Sequence, residues 1–299
     1  MAKNQLTNHS MEIPDLDNLH GPIPIRMTND YLFRALMQRN KEVLKALICS
    51  LLHLNPDDVT SVTILNPIEL GQSMDDKNYI LDIKVELNGH TIINLEMQVV
   101  NEGNWPERSL SYLCRAFDNL NTGDDYTEVH PAIQIGILGF TLFEDSPEFF
   151  ANYYLINVKN HRIYSDKLRL SVLDLTQINL ATEEDHAHGI DCWASLFRAT
   201  TWEELKMLAN TNQSIADAVT TVRQLTEEEK IRQQCEARED YYRRTVGREK
   251  ILKKTTEELE QAVIELEQAV IERDQALADL ERLQCLLTKH GIDINEAAD

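Results

Sequence analysis

Tyr79-Ile-Leu-Asp-Ile-Lys-Val-Glu-Leu-Asn-Gly-His-Thr-Ile-Ile-Asn-Leu-Glu-Met-Gln-Val-Val100 is the stretch that decides the fold. Its two halves are rich in Ile, Leu and Val, and Asn88-Gly89 lies between them. An Asn-Gly pair between such segments is the strongest short-range signal of a β-hairpin. Side chains alternate between the faces of a strand, so Glu96 and Gln98 are expected to share one face, with Asp82 on the paired strand.

These three residues predict a site for metal-assisted cleavage of nucleic acid. Hydrolysis of a phosphodiester needs an activated water, neutralised phosphate charge and a stabilised leaving oxygen, all of which a divalent cation supplies. Mg²⁺ prefers oxygen ligands, so Asp82 and Glu96 are the expected metal ligands, with the backbone carbonyl of Met97 as a further one. Gln98 would contact the phosphate or position the water. The alternative is that these residues form the solvated face of an antiparallel sheet.

The rest of the chain alternates between helical and strand patterns. Asn29 or Asp30 could cap a helix that extends to about His53. Short apolar runs predict strands at 62–65, 132–140, 153–158 and 168–175, and helical spacing recurs at 105–121, 190–197, 202–208 and 215–225. This order indicates an α/β fold with helices packed on a sheet. We expect a flexible leader at 1–24, one domain at 25–225, a helical region at 226–290 and a flexible end at 291–299.

A seven-residue repeat marks the helical region. Leu259, Val263, Leu266, Val270, Leu277 and Leu280 follow the 3–4 spacing of a coiled coil, and Arg273 interrupts one core position. The repeat predicts a coiled coil that joins copies of the chain into a homo-oligomer. The alternative is a single long helix that packs back on its own domain.

Composition limits the classes of function. The formal net charge of -21 opposes long-range attraction to DNA, since non-specific DNA binding relies on Lys and Arg. The five cysteines are scattered without C-x-x-C spacing, which fits reduced thiols in a cytoplasm. No apolar run approaches the length of a membrane span, and the polar N-terminal segment does not look like a signal peptide.

Several segments, taken in order, resemble the PD-(D/E)XK nuclease family transposases, a group of bacterial recombination-promoting nucleases. The resemblance covers about residues 26–244. It is carried by Asn29-Asp30-Tyr-Leu-Phe33, Leu81-Asp82-Ile-Lys84, Asn94-Leu-Glu96-Met-Gln98, Glu107-Arg108-Ser-Leu-Ser-Tyr112, the apolar strand 133–140, the strand 168–175 and a helix that contains Trp193.

The resemblance implies a restriction-endonuclease-like core, a central mixed sheet flanked by helices, and Mg²⁺-dependent cleavage of DNA. Asp82 and Glu96 match the two metal-binding acids, and Gln98 stands where the wider superfamily usually has Lys. Asp30 matches an acid that could approach the metal, unless it caps its helix. Arg108 and Tyr112 match positions that could contact phosphate, unless they are an ordinary packing pair.

Other candidates have less support in the sequence. His186, His188 and Cys192 lie in an acidic segment and could bind zinc, but a polar loop explains them better. Glu69 could add an acid to the site, although a solvent-facing loop carboxylate is the simpler interpretation. The basic residues at 243–254 are typical of a salt-bridged helix face.

Two functions therefore follow from the sequence. The first is a metal-dependent DNA endonuclease of the transposase type, with Mg²⁺ or another divalent cation as cofactor and DNA as partner. The second is a nuclease fold without efficient catalysis that acts as an oligomeric binding or regulatory module. The acidic charge and Gln98 in place of Lys favour the second.

Overall fold

A six-stranded mixed sheet forms the centre of the protein. The computed structural model describes Leu16, residues 18–68, Leu70 and residues 82–290. The strands are β1 (Val62–Ile64), β2 (Ile83–Leu87), β3 (Thr91–Gln98), β4 (Ala132–Leu138), β5 (Phe150–Tyr154) and β6 (Leu168–Asp174), in the order β1-β2-β3-β4-β6-β5. The pairs β3–β4 and β4–β6 are parallel, and the outer pairs are antiparallel.

Eight α-helices accompany the sheet in the described part of the chain. They are α1 (Asp30–Arg39), α2 (Lys41–Leu52), α3 (Trp105–Phe117), α4 (Glu183–Ala187), α5 (Ile190–Arg198), α6 (Trp202–Ala209), α7 (Gln213–Glu227) and α8 (Glu229–Lys289). The predicted α/β fold, with a mixed sheet flanked by helices and a long C-terminal helix, is confirmed.

The predicted hairpin is formed by β2 and β3. Leu87 pairs with Thr91 and Ile83 pairs with Leu95. The turn needs two consecutive residues with positive φ, 53° at Asn88 and 73° at Gly89, which Asn and Gly adopt most readily. Residues 79–81 of the predicted first strand lie outside the described residues.

The two faces of the sheet are covered differently. On one face, alternate residues of β2, β3 and β4 pack with α1, α2, α5 and α7 in the main core, which includes Val85, Ile93, Leu95 and Ile137. On the other face α3 packs over β3 and β4. There Trp105 lies directly on Gly136, where a Cβ atom would come within 2.1 Å of the indole, so only glycine fits.

The single helix predicted up to His53 is wrong. The chain forms two helices that meet at Asn40, whose φ of -126° and ψ of 96° are not helical. The Asn40 side chain accepts a hydrogen bond from the backbone N–H of Val43 (3.2 Å), which caps the second helix. A polar residue that caps a helix this way competes with continuation of the first helix.

The described chain divides into two compact units at Tyr242 and Arg243. In the first unit, the start of α8 buries Ile231 and Cys235 in the main core. Part of the expected leader also belongs to this unit, since Leu16 is buried and the Ile23 N–H donates to the Thr200 carbonyl (2.9 Å). None of the helices in the described residues is long and apolar enough to cross a membrane.

The second unit is the rest of α8, a continuous helix as far as Lys289. Apolar side chains of the seven-residue repeat are exposed along it, among them Leu259, Val263, Leu266, Leu277 and Leu280. Residues 291–299, the expected flexible end, lie outside the described residues.

Candidate active site

One small pocket in the first unit brings together the four residues predicted to be catalytic. Asp30, Asp82, Glu96 and Gln98 line it, together with Met97, Val100, Glu102, Arg108, Arg238 and Tyr242. Its volume of about 40 Å³ accommodates a hydrated group of only a few atoms. Its four acids outnumber its two arginines, so the pocket favours a cationic occupant.

Glu96 is the most strongly perturbed acid of this pocket. It lies on β3 with only 5% of its surface exposed, and Oε1 accepts a hydrogen bond from Arg108 Nη2 at 2.6 Å. Burial raises the pKa of Glu96 to about 7, against the opposing effect of Arg108. Its second oxygen, Oε2, is buried and has no hydrogen-bond partner among the described residues.

Asp82 stands immediately before β2, beside Glu96. Its backbone carbonyl accepts hydrogen bonds from Asn66 Nδ2 (3.0 Å) and from Arg34, which holds the end of the strand in place. Burial raises the pKa of the Asp82 carboxyl, and the nearby Arg34 guanidinium opposes that rise. The negative charge of Asp82 in turn raises the pKa of Glu96.

Gln98 adds an amide oxygen to the pocket, beside the carboxylates of Glu96 and Asp82. It is 8% exposed, and its Nε2 donates to the carbonyl of Val100 at 3.1 Å. This bond turns Oε1 the other way, and Oε1 is buried without a partner in the described part of the chain. An unpartnered buried oxygen is costly unless a ligand or water completes it.

Asp30 lies in the pocket, and it does not cap its helix. The cap of α1 is Asn29, whose Oδ1 accepts from the N–H groups of Tyr31 and Leu32 (both 3.1 Å). The Asp30 carboxylate instead accepts from Arg238, with Nη2 at 2.7 Å and Nε at 2.8 Å, and from the hydroxyl of Tyr242. This acid is therefore already neutralised by the start of α8.

Arg108 connects helix α3 to the pocket. It donates to Glu96 and lies 3.7 Å from Glu102, and its guanidinium stacks over the ring of Tyr112 at 5.7 Å. The pair Arg108 and Tyr112 thus packs together, as one interpretation of the sequence expected. Arg108 additionally faces the acids, where it could pair with a phosphate.

Sequence reasoning missed Arg238 and Tyr242, which are separated from Asp30 by more than 200 residues. Their spacing of four on a helix places them on one face, and this spacing was the one sign in the sequence that the two side chains act together. The spacing gave no indication of which acid they meet. Glu69, the candidate extra acid, lies outside the described residues.

The pocket offers the ligands that a hard divalent cation requires. Mg²⁺ binds through carboxylate and amide oxygens and keeps several waters, so two or three protein oxygens suffice. Glu96 Oε2 and Gln98 Oε1 are both buried and unpartnered within the described residues, and the Asp82 carboxylate lines the same space. The residues present therefore fit such an ion.

A second group of metal-ligating side chains lies outside this pocket. Ligand atoms of His53, Glu184 and His188 come within 4.8 Å of one another. The imidazoles of His53 and His188 are stacked, with centroids 4.0 Å apart and planes 8° from parallel. An ion cannot lie in both ring planes at once in this arrangement, so binding would require one ring to rotate.

The zinc site considered around His186, His188 and Cys192 is not assembled. His186 pairs with Asp191 at 2.8 Å, whereas His188 stacks on His53. The sequence pattern missed His53, which is distant in the chain and reaches His188 from the end of α2.

The family model for PD-(D/E)XK nuclease family transposases matches residues 27–246, most of the chain. The fold agrees with this match, and the chain belongs to that family. Comparison with curated proteins gives no match, and comparison with solved structures gives none either. Members of PD-(D/E)XK nuclease families generally use divalent metal ions and act on DNA.

Proposed function

We propose that this protein is a metal-dependent DNA endonuclease of the transposase or recombination-promoting type. The observation that carries the proposal is the pair of unpartnered buried oxygens, Glu96 Oε2 and Gln98 Oε1, beside Asp82. Burying such atoms is unfavourable, and a bound cation would remove that cost. Membership of the family supplies DNA as the substrate class.

The chemistry of each side chain indicates its proposed role in the pocket. Asp82 and Glu96 would hold the ion, which would make a bound water more acidic and would neutralise phosphate charge. Gln98 is neutral, so it orients a ligand through Oε1 and does not accept the proton. Asp30 keeps Arg238 and Tyr242 at the edge of the pocket, and Arg238 and Arg108 contribute positive charge there.

Arg108 and Arg238 locally offset the net charge of -21, which otherwise repels DNA. Charge on the remote surface acts through solvent and is screened over roughly 8–10 Å at physiological salt. Arg108 and Arg238 flank the pocket itself, where a phosphate would bind. We therefore expect binding that is local and cation-dependent, with little non-specific affinity for DNA.

We further propose that the helical region 226–290 joins copies of the chain in the cytoplasm. Residues 229–242 pack within the first unit, so self-association would use the exposed apolar face of the later repeats. Apolar residues exposed at heptad spacing are the usual mark of a helix that packs against another.

Cleavage of supercoiled plasmid DNA tests the proposed activity. We expect nicking with Mg²⁺ that stops with chelator, and loss of activity in Asp82→Ala and in Glu96→Ala. Glu86→Ala is the matched control, since Glu86 lies on β2 and outside the pocket. If the parent protein binds the cation but cleaves no DNA, the second hypothesis holds, a nuclease fold that serves as a binding or regulatory module.

A further inference from the structure

Strand β5 is an edge of the sheet, and its second half is exposed. It pairs with β6 on one side only. Residues 152–164, from the middle of β5 onward, are all exposed. An exposed edge strand presents unpaired backbone N–H and C=O groups and is a template for pairing with another chain.

The chain continues from β5 into a short apolar hairpin, residues 155–164, here called the arm. Tyr164 N–H donates to the Leu155 carbonyl and Asn157 N–H to the Arg162 carbonyl, both at 2.8 Å. Val158 and Tyr164 are 85% and 83% exposed, and Leu155, Ile156 and Ile163 are also exposed. An isolated two-stranded hairpin is marginal in water, so an arm this apolar is expected to pack on a partner.

An apolar cleft of about 350 Å³ lies beside the same edge. Helix α3 packs against β4, β3 and β6, and it leaves the face of β5 and the outer part of β6 open. The cleft is lined by α3, β5, β6 and the loop after β4, including Leu110, Phe143, Tyr153, Leu155 and Leu170. Edge, arm and cleft therefore form one continuous surface.

The charges flanking β5 indicate what covers this surface. The exposed residues Glu144, Asp145 and Glu148 precede the strand, whereas Lys159 and Arg162 follow it in the arm. If two copies of β5 pair antiparallel, the segment before the strand in one copy lies beside the segment after it in the other. Acidic residues then face basic residues at both ends of the pair.

We propose that β5 pairs antiparallel with β5 of a second copy of this chain, with each arm packed on the other copy. A two-fold axis between the two paired strands makes the surface self-complementary, as a closed dimer requires. The pairing joins the two six-stranded sheets into one. It does not depend on the proposed nuclease activity or on association through α8.

Charge reversal in the full-length chain tests this pairing. All variants carry Leu266→Glu, which removes an apolar position of the α8 repeat, so that only the β5 surface is measured. The arm variant is Lys159→Glu with Arg162→Glu, and the loop variant is Glu144→Lys with Glu148→Lys. We expect each alone to weaken dimerisation in sedimentation equilibrium by about tenfold or more, because like charges then face each other.

The combination of the two reversals is the decisive measurement. It restores opposite charges across the interface, so the dissociation constant of the dimer should return close to that of the chain with Leu266→Glu alone. Val158→Ser with Tyr164→Ser should also dissociate the dimer without lowering the melting temperature, since both side chains are exposed in the single chain.

Three results would overturn the pairing. The first is a monomeric Leu266→Glu chain at about 100 μM, a concentration at which interfaces of roughly micromolar affinity are occupied. The second is dimerisation that the arm variant leaves unchanged or that the combined variant does not restore. The third is a monomeric chain whose affinity for DNA falls in the arm variant, which would make the arm a nucleic-acid contact.

Discussion

Arg108 Nη2 donates to Glu96 Oε1 at 2.6 Å, while the other oxygen of the same carboxylate is buried without a partner in the described chain. One side of this carboxylate is thus satisfied by a neighbouring helix, and the other faces the pocket. A carboxylate held in this way is oriented for a ligand on its free side. This relationship is the basis of the cation site proposed here.

The raised pKa of Glu96 predicts that stability depends on pH. Its pKa is about 7 in the folded protein and near 4.5 in the unfolded chain, so the folded state binds more protons between these values. The free energy of unfolding should therefore fall as pH rises from about 4.5 to 7. We expect Glu96→Gln to be more stable than the parent above pH 7, by roughly 1–3 kcal/mol, with the difference fading at low pH.

Chemical denaturation of both proteins at several pH values measures this difference in stability. The same substitution at Glu86, a half-buried acid on β2 outside the pocket, is the control and should show no comparable gain. A Glu96→Gln protein that is less stable than the parent at pH 8 would contradict the assigned cost of the buried charge.

Gln98→Leu tests the role of the amide oxygen. Leu is similar in size but offers no ligand, so the cation should bind more weakly and DNA cleavage should slow by about 10- to 100-fold. Titration calorimetry with Mg²⁺ and plasmid nicking measure the two effects. If the variant binds the cation and cleaves as well as the parent, Gln98 Oε1 does not contribute to the site.

Arg238→Met tests the buried contact between α8 and Asp30. The side chains of Arg238 and Asp30 are 12% and 5% exposed, so removing the arginine leaves a buried carboxylate without its cationic partner. We expect a loss of about 3–5 kcal/mol in the free energy of unfolding. The matched control is Arg39→Met, which breaks the ion pair with Glu228. The side chains of Arg39 and Glu228 are 41% and 42% exposed, so this change should lower the free energy of unfolding by at most about 1 kcal/mol. Equal losses in the two variants would show that the buried contact has no special importance.

The seven-residue repeat of α8 predicts opposite effects of two substitutions. Leu266→Glu places a charge at a core position and should dissociate copies held together by α8, whereas Arg273→Leu restores an apolar residue at the interrupted position and should strengthen their association. Gln268→Glu, a change of charge on the polar face of the repeat, should have little effect. Sedimentation velocity on chains that also carry Lys159→Glu and Arg162→Glu, so that β5 pairing does not hold copies together, distinguishes these outcomes. A chain whose mass then responds to neither core change does not associate through the repeat.

The hairpin and most of the helices that flank the sheet were predictable because their signals are local. Asn88-Gly89 specifies its own turn, and strand alternation places Glu96 and Gln98 on one face whatever surrounds them. The burial of that face was not predictable. Acids on a hairpin are also typical of a solvated surface, and only the packing of α3 on β3 shows that Glu96 and Gln98 are enclosed.

The rest of the pocket depends on contacts between distant parts of the chain. Asp30 meets Arg238 because the start of α8 returns to α1, and no pattern within either helix specifies that return. The break at Asn40 was hidden because apolar residues on both sides keep a helical spacing. His53 was missed because its partners are far away in the chain, Glu184 on another helix and His188 in the loop that follows it.

Locating the bound cation tests the central claim most directly. Crystals of the full-length protein grown with Mn²⁺, which stands in for Mg²⁺ and scatters anomalously, should show a peak bonded to oxygens of Asp82 and Glu96 at about 2.0–2.3 Å. The peak should vanish in Asp82→Ala crystals. No peak in the pocket at saturating Mn²⁺, or a peak only at His53, Glu184 and His188, would contradict the proposed site.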